Sequence, residues 1–487
     1  MTPRPSTSSI VIVAASAALA ALTLLAPSAP GYDPWAWLIW GRELAHGGLD
    51  TVDGPAFKPL PVALDAVLWV VGGDGAAPAL WLLLARAGAL AGAALAARLA
   101  FRLAGGSWPA ALLAGGGVLL TAGYAWHGAV GNAEGAALAF GVLAVGLAFG
   151  GRARPALAAG AVLALLRPES WIFLAAYAGW AGRRETELRP WLAGGAVVVL
   201  ALWFVPEWLG SGDPLRSGDR ARVPNAGAPA TAAVPAWAAL RAGLGLPLLG
   251  LLVCALAAPG RARVPALLGL AWITEVALMA QLLGTSGEPR YSLPGAALIA
   301  VSGAVGAVAL VRHGRAAIVR RGRRGAGVGG ASRDGVGGVA WEGAGHGPRD
   351  GAAPGRLRGV RAVAPGLAAA VVLVAAVAAR AGDTRGELRR AADQAELSST
   401  LAGAVAAAGG RARVLACGRP VTGRYRGPAV AWALKVPRRV VRSPAGVGGA
   451  ALRSRIRRVA ALQPPPPAGG RLMGASRRWR IEGRCSP

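Results

Sequence analysis

The chain has 487 residues, 54% of them hydrophobic and only 15% charged, with a mean hydropathy of +0.47. A soluble protein of this length needs more polar surface, so the composition points to membrane-spanning helices of about 17–25 apolar residues each. The formal net charge is +29, nearly all of it from arginine, since Lys58 and Lys435 are the only lysines; in so apolar a chain this marks helix orientation and contact with anionic headgroups rather than nucleic-acid binding.

The apolar runs place eleven spans, at about 9–28, 79–101, 109–126, 132–150, 155–167, 168–182, 190–208, 236–259, 263–284, 292–312 and 364–380. The first resembles a signal peptide, but prolines crowd its end, which favours an uncleaved helix. Arginines then select the orientation. Arg98 and Arg102, Arg152 and Arg154, Arg183 to Arg189, Arg261 and Arg263, and Arg312 to Arg361 all lie at connections on the side of the N-terminus. The positive-inside rule puts that side in the cytoplasm. The short fifth and sixth spans stay separate, because merging them would send the 183–189 cluster outside.

The segment after the first span, GYDPWAWLIWGRELAHGGLDTVDGPAFKPLP, lies in the first outer loop, 30–78. It carries Asp33, Glu43, Asp50 and Asp53, with Trp35 and Trp37 beside the first acid and Lys58 before Pro59. Such charges belong in water or a polar cavity, because hydrocarbon penalises them. Residues 59–71 are too short to cross comfortably and read as an interfacial helix. Asp33 before Pro34 is also a good helix N-cap, a role compatible with a chemical one. A shielded carboxylate there can act as a general base. The two tryptophans can cover a sugar or anchor the loop at headgroup level.

Further along, Glu134 opens the fourth span near His127 and Asn132, and Arg167 and Glu169 bracket Pro168 between two short spans. Mutual charge pairing and capping is the plainer account of each, yet neighbouring outer ends can gather them around one cavity. Glu275 is mid-span and reads as structural. Arg290 and Tyr291 precede the tenth span; an interfacial Arg often only snorkels, but its planar fork also suits phosphate. The loop 313–363 is Gly/Arg-rich and reads as disordered and cytoplasmic. The last transmembrane helix covers 364–381. Residues 382–487 read as a small mixed α/β extracytoplasmic domain, with a helix near Glu387–Ala408 and strands at Arg413–Ala416 and Val430–Leu434. Cys254 is a buried thiol. Outside the cytoplasm Cys417 and Cys485 can form one disulfide, with two free thiols as the alternative. There is no Walker A loop, GxGxxG opening or HExxH, and the four histidines are scattered. No His/Cys metal site is expected and no cofactor is certain, although a divalent cation held by carboxylates stays open.

The order of parts resembles the GT-C class of polytopic glycosyltransferases, the group of protein O-mannosyltransferases and aminoarabinose transferases. The likeness lies in the acidic first loop, Lys58-Pro59-Leu60, the Leu166-Arg167-Pro168-Glu169 turn and Arg290-Tyr291-Ser292-Leu293-Pro294, over residues 9–312. Where many relatives carry paired acids this chain has a single one, in Tyr32-Asp33-Pro34, so metal use is not carried over and the base rests on Asp33 alone. The resemblance implies inverting transfer of a sugar from a polyprenyl-phosphate donor to an extracytoplasmic acceptor. Asp33 would be the base. Trp35, Trp37, Lys58, Glu134, Arg167, Glu169, Arg290 and Tyr291 would bind substrate, with Arg290 and Lys58 stabilising the leaving phosphate. Two rival classes remain: a transporter or lipid flippase, which needs polar residues at mid-membrane and an internal repeat, and a non-enzymatic envelope scaffold or sensor.

Overall fold

The computed structural model describes residues 7–327, 355–442, 449–455 and 460–484. The chain enters as α1 (Thr7–Thr23), then α2 (Tyr32–Ala45) and α3 (Pro59–Leu103). Pro59 and Pro61 suit the first turn of α3, where their missing N–H groups are not needed. Gly73 interrupts α3 with φ 56° and ψ −165°, which only glycine adopts freely, so the residues before and after it form two arms. The first arm covers residues 59–71, the segment read from the sequence as an interfacial helix, and α3 packs with α2. Then follow α4 (Trp108–Leu119), α5 (Tyr124–Ala129), α6 (Glu134–Phe149), α7 (Ala153–Leu166), α8 (Trp171–Arg184) and α9 (Arg189–Ser211). The short α10 (Arg216–Ala221) leads to α11 (Pro235–Ala255), α12 (Val264–Leu283) and α13 (Leu293–Gly327).

Each of the eleven expected segments falls on helix, and the fold is that of a polytopic membrane protein. Among the described residues, four helices are long and apolar enough to cross a membrane by length and composition, or five if α11, bent by 81° at Gly245, is one span. Four of the other expected spans, on α1, α4, α6 and α7, are apolar stretches of only 10–17 residues. Small residues bring the helices close, as expected where lipid-like surfaces meet. At the α12–α13 contact, a Cβ on Gly269 would lie 2.3 Å from the Gly295 carbonyl oxygen, and one on Gly295 would lie 2.6 Å from that of Gly269.

The last part opens with α14 (Gly355–Ala407), which joins the expected final span and the expected helix of the tail into one element of 53 residues. Helix thus enters both ends of the 313–363 segment expected to be disordered, and 328–354 lie outside the described residues. After α14 come α15 (Gly410–Ala416), β1 (Val421–Thr422), α16 (Gly427–Leu434), β2 (Ala450–Ser454), β3 (Arg471–Ala475) and β4 (Trp479–Gly483). The two runs expected as strands, 413–416 and 430–434, are helical. Short apolar runs do not distinguish a strand from a buried helix by period. Pro428 in the first turn and Val430, Ala431 and Leu434 on the buried side make α16 a helix.

The strand order is β1-β2-β4-β3, with β1 parallel to β2 and the other pairs antiparallel; Leu452 lies opposite Ile481. Cys417 is disulfide-bonded and Cys254 is a free thiol; Cys485, the expected partner of Cys417, lies outside the described residues. Trp479, Ile481 and Leu452 of the sheet belong to the same buried cluster as Trp37, Leu38 and Trp40 of α2. The C-terminal domain is therefore packed onto the first loop rather than hung from a linker.

Candidate functional site

The site is built at the helix ends that meet the C-terminal domain. The N-cap of α2 is Gly31, with extended backbone, so Asp33 is inside the first turn and makes no capping bond. Its carboxylate turns outward and accepts a hydrogen bond from Arg290 Nη1 to Oδ2 at 2.9 Å. Arg290 sits in the one-turn 3₁₀ segment Pro289–Ser292 that leads into α13. Its Nε lies 2.7 Å from Glu288 Oε2, and Nη1 is 3.8 Å from Glu134 Oε1.

Glu134 opens α6 and is hydrogen-bonded to Arg167 Nη2. Arg167 Nη1 is also 3.7 Å from Glu169 Oε1. Pro168 holds the chain between them, forcing Arg167 into extended backbone at the end of α7. The Glu134 and Arg167 side chains are 1% and 3% exposed, whereas Asp33 and Arg290 are 15% and 16% exposed. Two tiers result: a buried pair beneath, and a reachable acid–guanidinium pair above. The Tyr291 ring lies near both guanidiniums, 4.5 Å from Arg167 Cζ and 5.1 Å from Arg290 Cζ. Trp272 Nε1 donates to the Tyr291 carbonyl at 2.8 Å, tying this turn to α12.

Lys58 completes the group. It is the extended N-cap of α3, and its ammonium lies 5.2 Å from the Trp37 ring centroid. Among the described residues it makes no ion pair within 4.0 Å, although Arg167, Glu134, Asp33 and Arg290 all act on it electrostatically. Burial first, and then the nearby Arg167, bring its pKa down to about 8, while Glu134 and Asp33 oppose the shift. Burial also pushes His127 down to about 4, so its imidazole is neutral at pH 7. Its Nδ1 lies 2.7 Å from the Asn132 amide, which fits an accepting Nδ1 with the proton on Nε2.

Asp33, Lys58, Trp37, Glu134, Arg167, Glu169, Arg290 and Tyr291 are thus brought together. Trp35 is not. It lies on the other side of α2, its ring 5.6 Å from that of Trp432 in α16, and lines a cavity of about 930 Å³ between α1, α3 and α14. Trp37 is 1% exposed and packs edge-on against Trp81, so it supports Lys58 rather than presenting a free face. Sequence reasoning assigned no role to Glu288 or to Asn225, whose amide donates to Glu288 Oε1 at 3.1 Å. The adjacency Glu288-Pro289-Arg290 was the only signal for the first, and none pointed to the second. Among the described residues no group of three or more His, Cys, Asp or Glu is placed to hold a metal ion.

Carboxylate and guanidinium groups thus gather at one end of a helical bundle, under a small α/β domain. Two solved structures share this fold. ArnT from Cupriavidus metallidurans bound to undecaprenyl phosphate aligns over 99% of this chain and 100% of that one, with a TM-score of 0.53 and 15% identity. The same protein in its apo state aligns over 99% of both chains, with a TM-score of 0.50 and 16% identity. ArnT is an aminoarabinose transferase of the GT-C class; at these identities what is shared is the fold. No family model and no curated protein sequence matches the chain.

Proposed function

We propose that this protein is a membrane glycosyltransferase that moves a sugar from a polyprenyl-phosphate donor to an extracytoplasmic acceptor, with inversion at the anomeric carbon. The observation that carries the reading is the upper tier of the site: a reachable carboxylate, Asp33, hydrogen-bonded to Arg290, with Lys58 nearby and free of any ion pair among the described residues. The shared fold supports it, since the related structure holds undecaprenyl phosphate. Eleven crossings, with the N-terminus cytoplasmic and the C-terminal domain outside, satisfy the arginine distribution. The gathering of polar groups at one end of the bundle favours this reading over a transporter, which needs them at mid-membrane.

In the proposed reaction the acceptor hydroxyl oxygen attacks the anomeric carbon as the bond from that carbon to the phosphate oxygen breaks. The proton passes to Asp33, and the polyprenyl phosphate leaves with the bonding pair. Lys58 and Arg290 stabilise the charge that develops on the leaving oxygen. A phosphate monoester is a weak base, so it needs no strong acid to depart. A donor phosphate also competes with Asp33 for the Arg290 guanidinium. Donor binding would therefore loosen the ion pair and free the carboxylate to meet the acceptor hydroxyl only when there is a sugar to transfer. Glu134 and Arg167, both buried, orient this tier from below, and Tyr291 spaces the two guanidiniums.

The test is transfer of radiolabelled sugar from polyprenyl-phosphate donors in membranes carrying wild type or Asp33→Asn at equal expression. Loss of about 10²-fold or more in the variant is expected of a general base. Wild-type transfer undiminished by the substitution would remove Asp33 from that role.

A further inference from the structure

The segment that delivers Lys58 is held from behind by groups that the proposed reaction does not use. Thr51 N–H donates to the Gly210 carbonyl at 3.1 Å. Arg216 donates to the Pro55 and Gly54 carbonyls at 3.0 and 3.2 Å, and Arg220 Nε donates to Gly54 at 3.1 Å. The last bond is the most specific. Phe57 N–H lies 2.7 Å from Ser217 Oγ, and Ser217 Oγ lies 2.7 Å from Glu207 Oε2.

Its direction is forced. A peptide N–H only donates and an ionised carboxylate only accepts, so the hydroxyl must accept from Phe57 and donate to Glu207. Glu207 is fully buried, and its other oxygen lies 3.6 Å from Arg216 Nη1. A buried carboxylate held between a hydroxyl and a guanidinium is a fixed anchor. Phe57 itself is 2% exposed and packs near Trp40. On the far side of Lys58, Pro59 begins α3. Lys58 is therefore a single extended residue clamped between a hydrogen-bonded peptide and a helix start.

We propose that Glu207 and Ser217 are positioning residues for Lys58, holding the Phe57 peptide so that the ammonium faces the acid–guanidinium cluster. The consequence for transfer rests on the reading of Lys58 as the cation that meets the donor phosphate; the positioning itself does not.

The chain offers a direct probe, because Lys58 and Lys435 are its only lysines. Reductive ¹³C-methylation of the full-length protein gives two lysine signals beside the α-amino group, and Lys435→Arg assigns them. In Ser217→Ala the Lys58 midpoint should rise from about 8 towards the ordinary lysine value of about 10.4, while Lys435 stays put. Ser217→Thr, which keeps the hydroxyl, should restore it. A folded Ser217→Ala protein whose Lys58 signal and midpoint match wild type would overturn the proposal.

Undecaprenyl phosphate binding gives the second arm. Ser217→Ala should weaken it about tenfold and weaken it no further when Lys58 is already alanine. Equal losses in the two backgrounds would show that Ser217 does not act through Lys58. If Lys58→Ala alone leaves affinity unchanged, the phosphate role of Lys58 fails, and the resonance measurement still decides the positioning.

Discussion

Asp33 shows how one residue's role depends on one turn of helix. As an N-cap it would spend its carboxylate on backbone N–H groups; two positions further in, as it stands here, it is available to Arg290. Lys58 carries the sharper pH prediction. A lysine with a lowered pKa is charged below that value and neutral above it, so a reaction needing the ammonium slows as pH rises through about 8. We expect an alkaline limb near pH 8 in kcat/KM that moves above pH 10 in Lys58→Arg, since guanidinium does not deprotonate in that range. A limb unchanged by the substitution would assign it to another group. The site residues were legible because charges are rare in this chain and fall at span ends. Trp35 was not, since residues two apart on a helix face different ways and neither identity nor spacing says which side is covered. Ser217 and Arg438 were not, because their partners Phe57 and Asp53 lie far away in sequence.

At the scale of elements, apolar length and arginine placement were enough to put each expected span on a helix. The strands of the tail were misread because runs of four or five apolar residues fit either structure. Gly73 divides α3 without any proline at the break, and glycines are too common in this chain (73 in all) for that one to stand out. The α12–α13 contact makes a prediction of its own. Gly295→Leu must push a side chain against the Gly269 carbonyl and Trp272, and overpacking of this kind typically costs about 1–3 kcal/mol. Thermal unfolding in detergent should show a lower midpoint, and Gly194→Leu, whose added Cβ meets nothing within 4 Å, serves as the control. Equal midpoints would mean that the two helices separate at little cost.

The molecule as a whole is held together across the first loop by charge as well as by apolar packing. Arg439 Nε lies 2.7 Å from Asp50, Arg438 Nη1 3.2 Å from Asp53 and Lys435 Nζ 2.8 Å from Asp74. Arg42 adds a hydrogen bond to the Val436 carbonyl and lies over the Trp432 ring. Arg438 is 3% exposed, so removing its partner leaves a buried charge, unlike the other two bridges, whose cations are more than half exposed. Asp53→Ala should therefore loosen the tail domain, read as faster proteolysis within residues 410–484, while Lys435→Ala should change little. If both variants are cut at the wild-type rate, apolar packing alone holds the domain. The acids of the first loop were visible in the sequence, but their partners in the tail could not be chosen among so many arginines.

The 53-residue α14 is fixed at two levels. Glu387 accepts hydrogen bonds from the Gly123 and Trp126 amides, and Arg380 donates to the Leu120 carbonyl. Higher up, Asp393 pairs with Arg478, and the Leu397 carbonyl receives the Trp479 indole. It behaves as a shaft keyed at both stations, and the phase between the keys is set by a count of residues. One residue inserted between Arg390 and Asp393 would turn everything beyond it by about 100° and lift it about 1.5 Å, unseating the sheet from the first loop. Such an insertion should abolish transfer while four residues, close to a full turn, do less harm. In related chains, length differences should collect between residues 328 and 354 and avoid this interval.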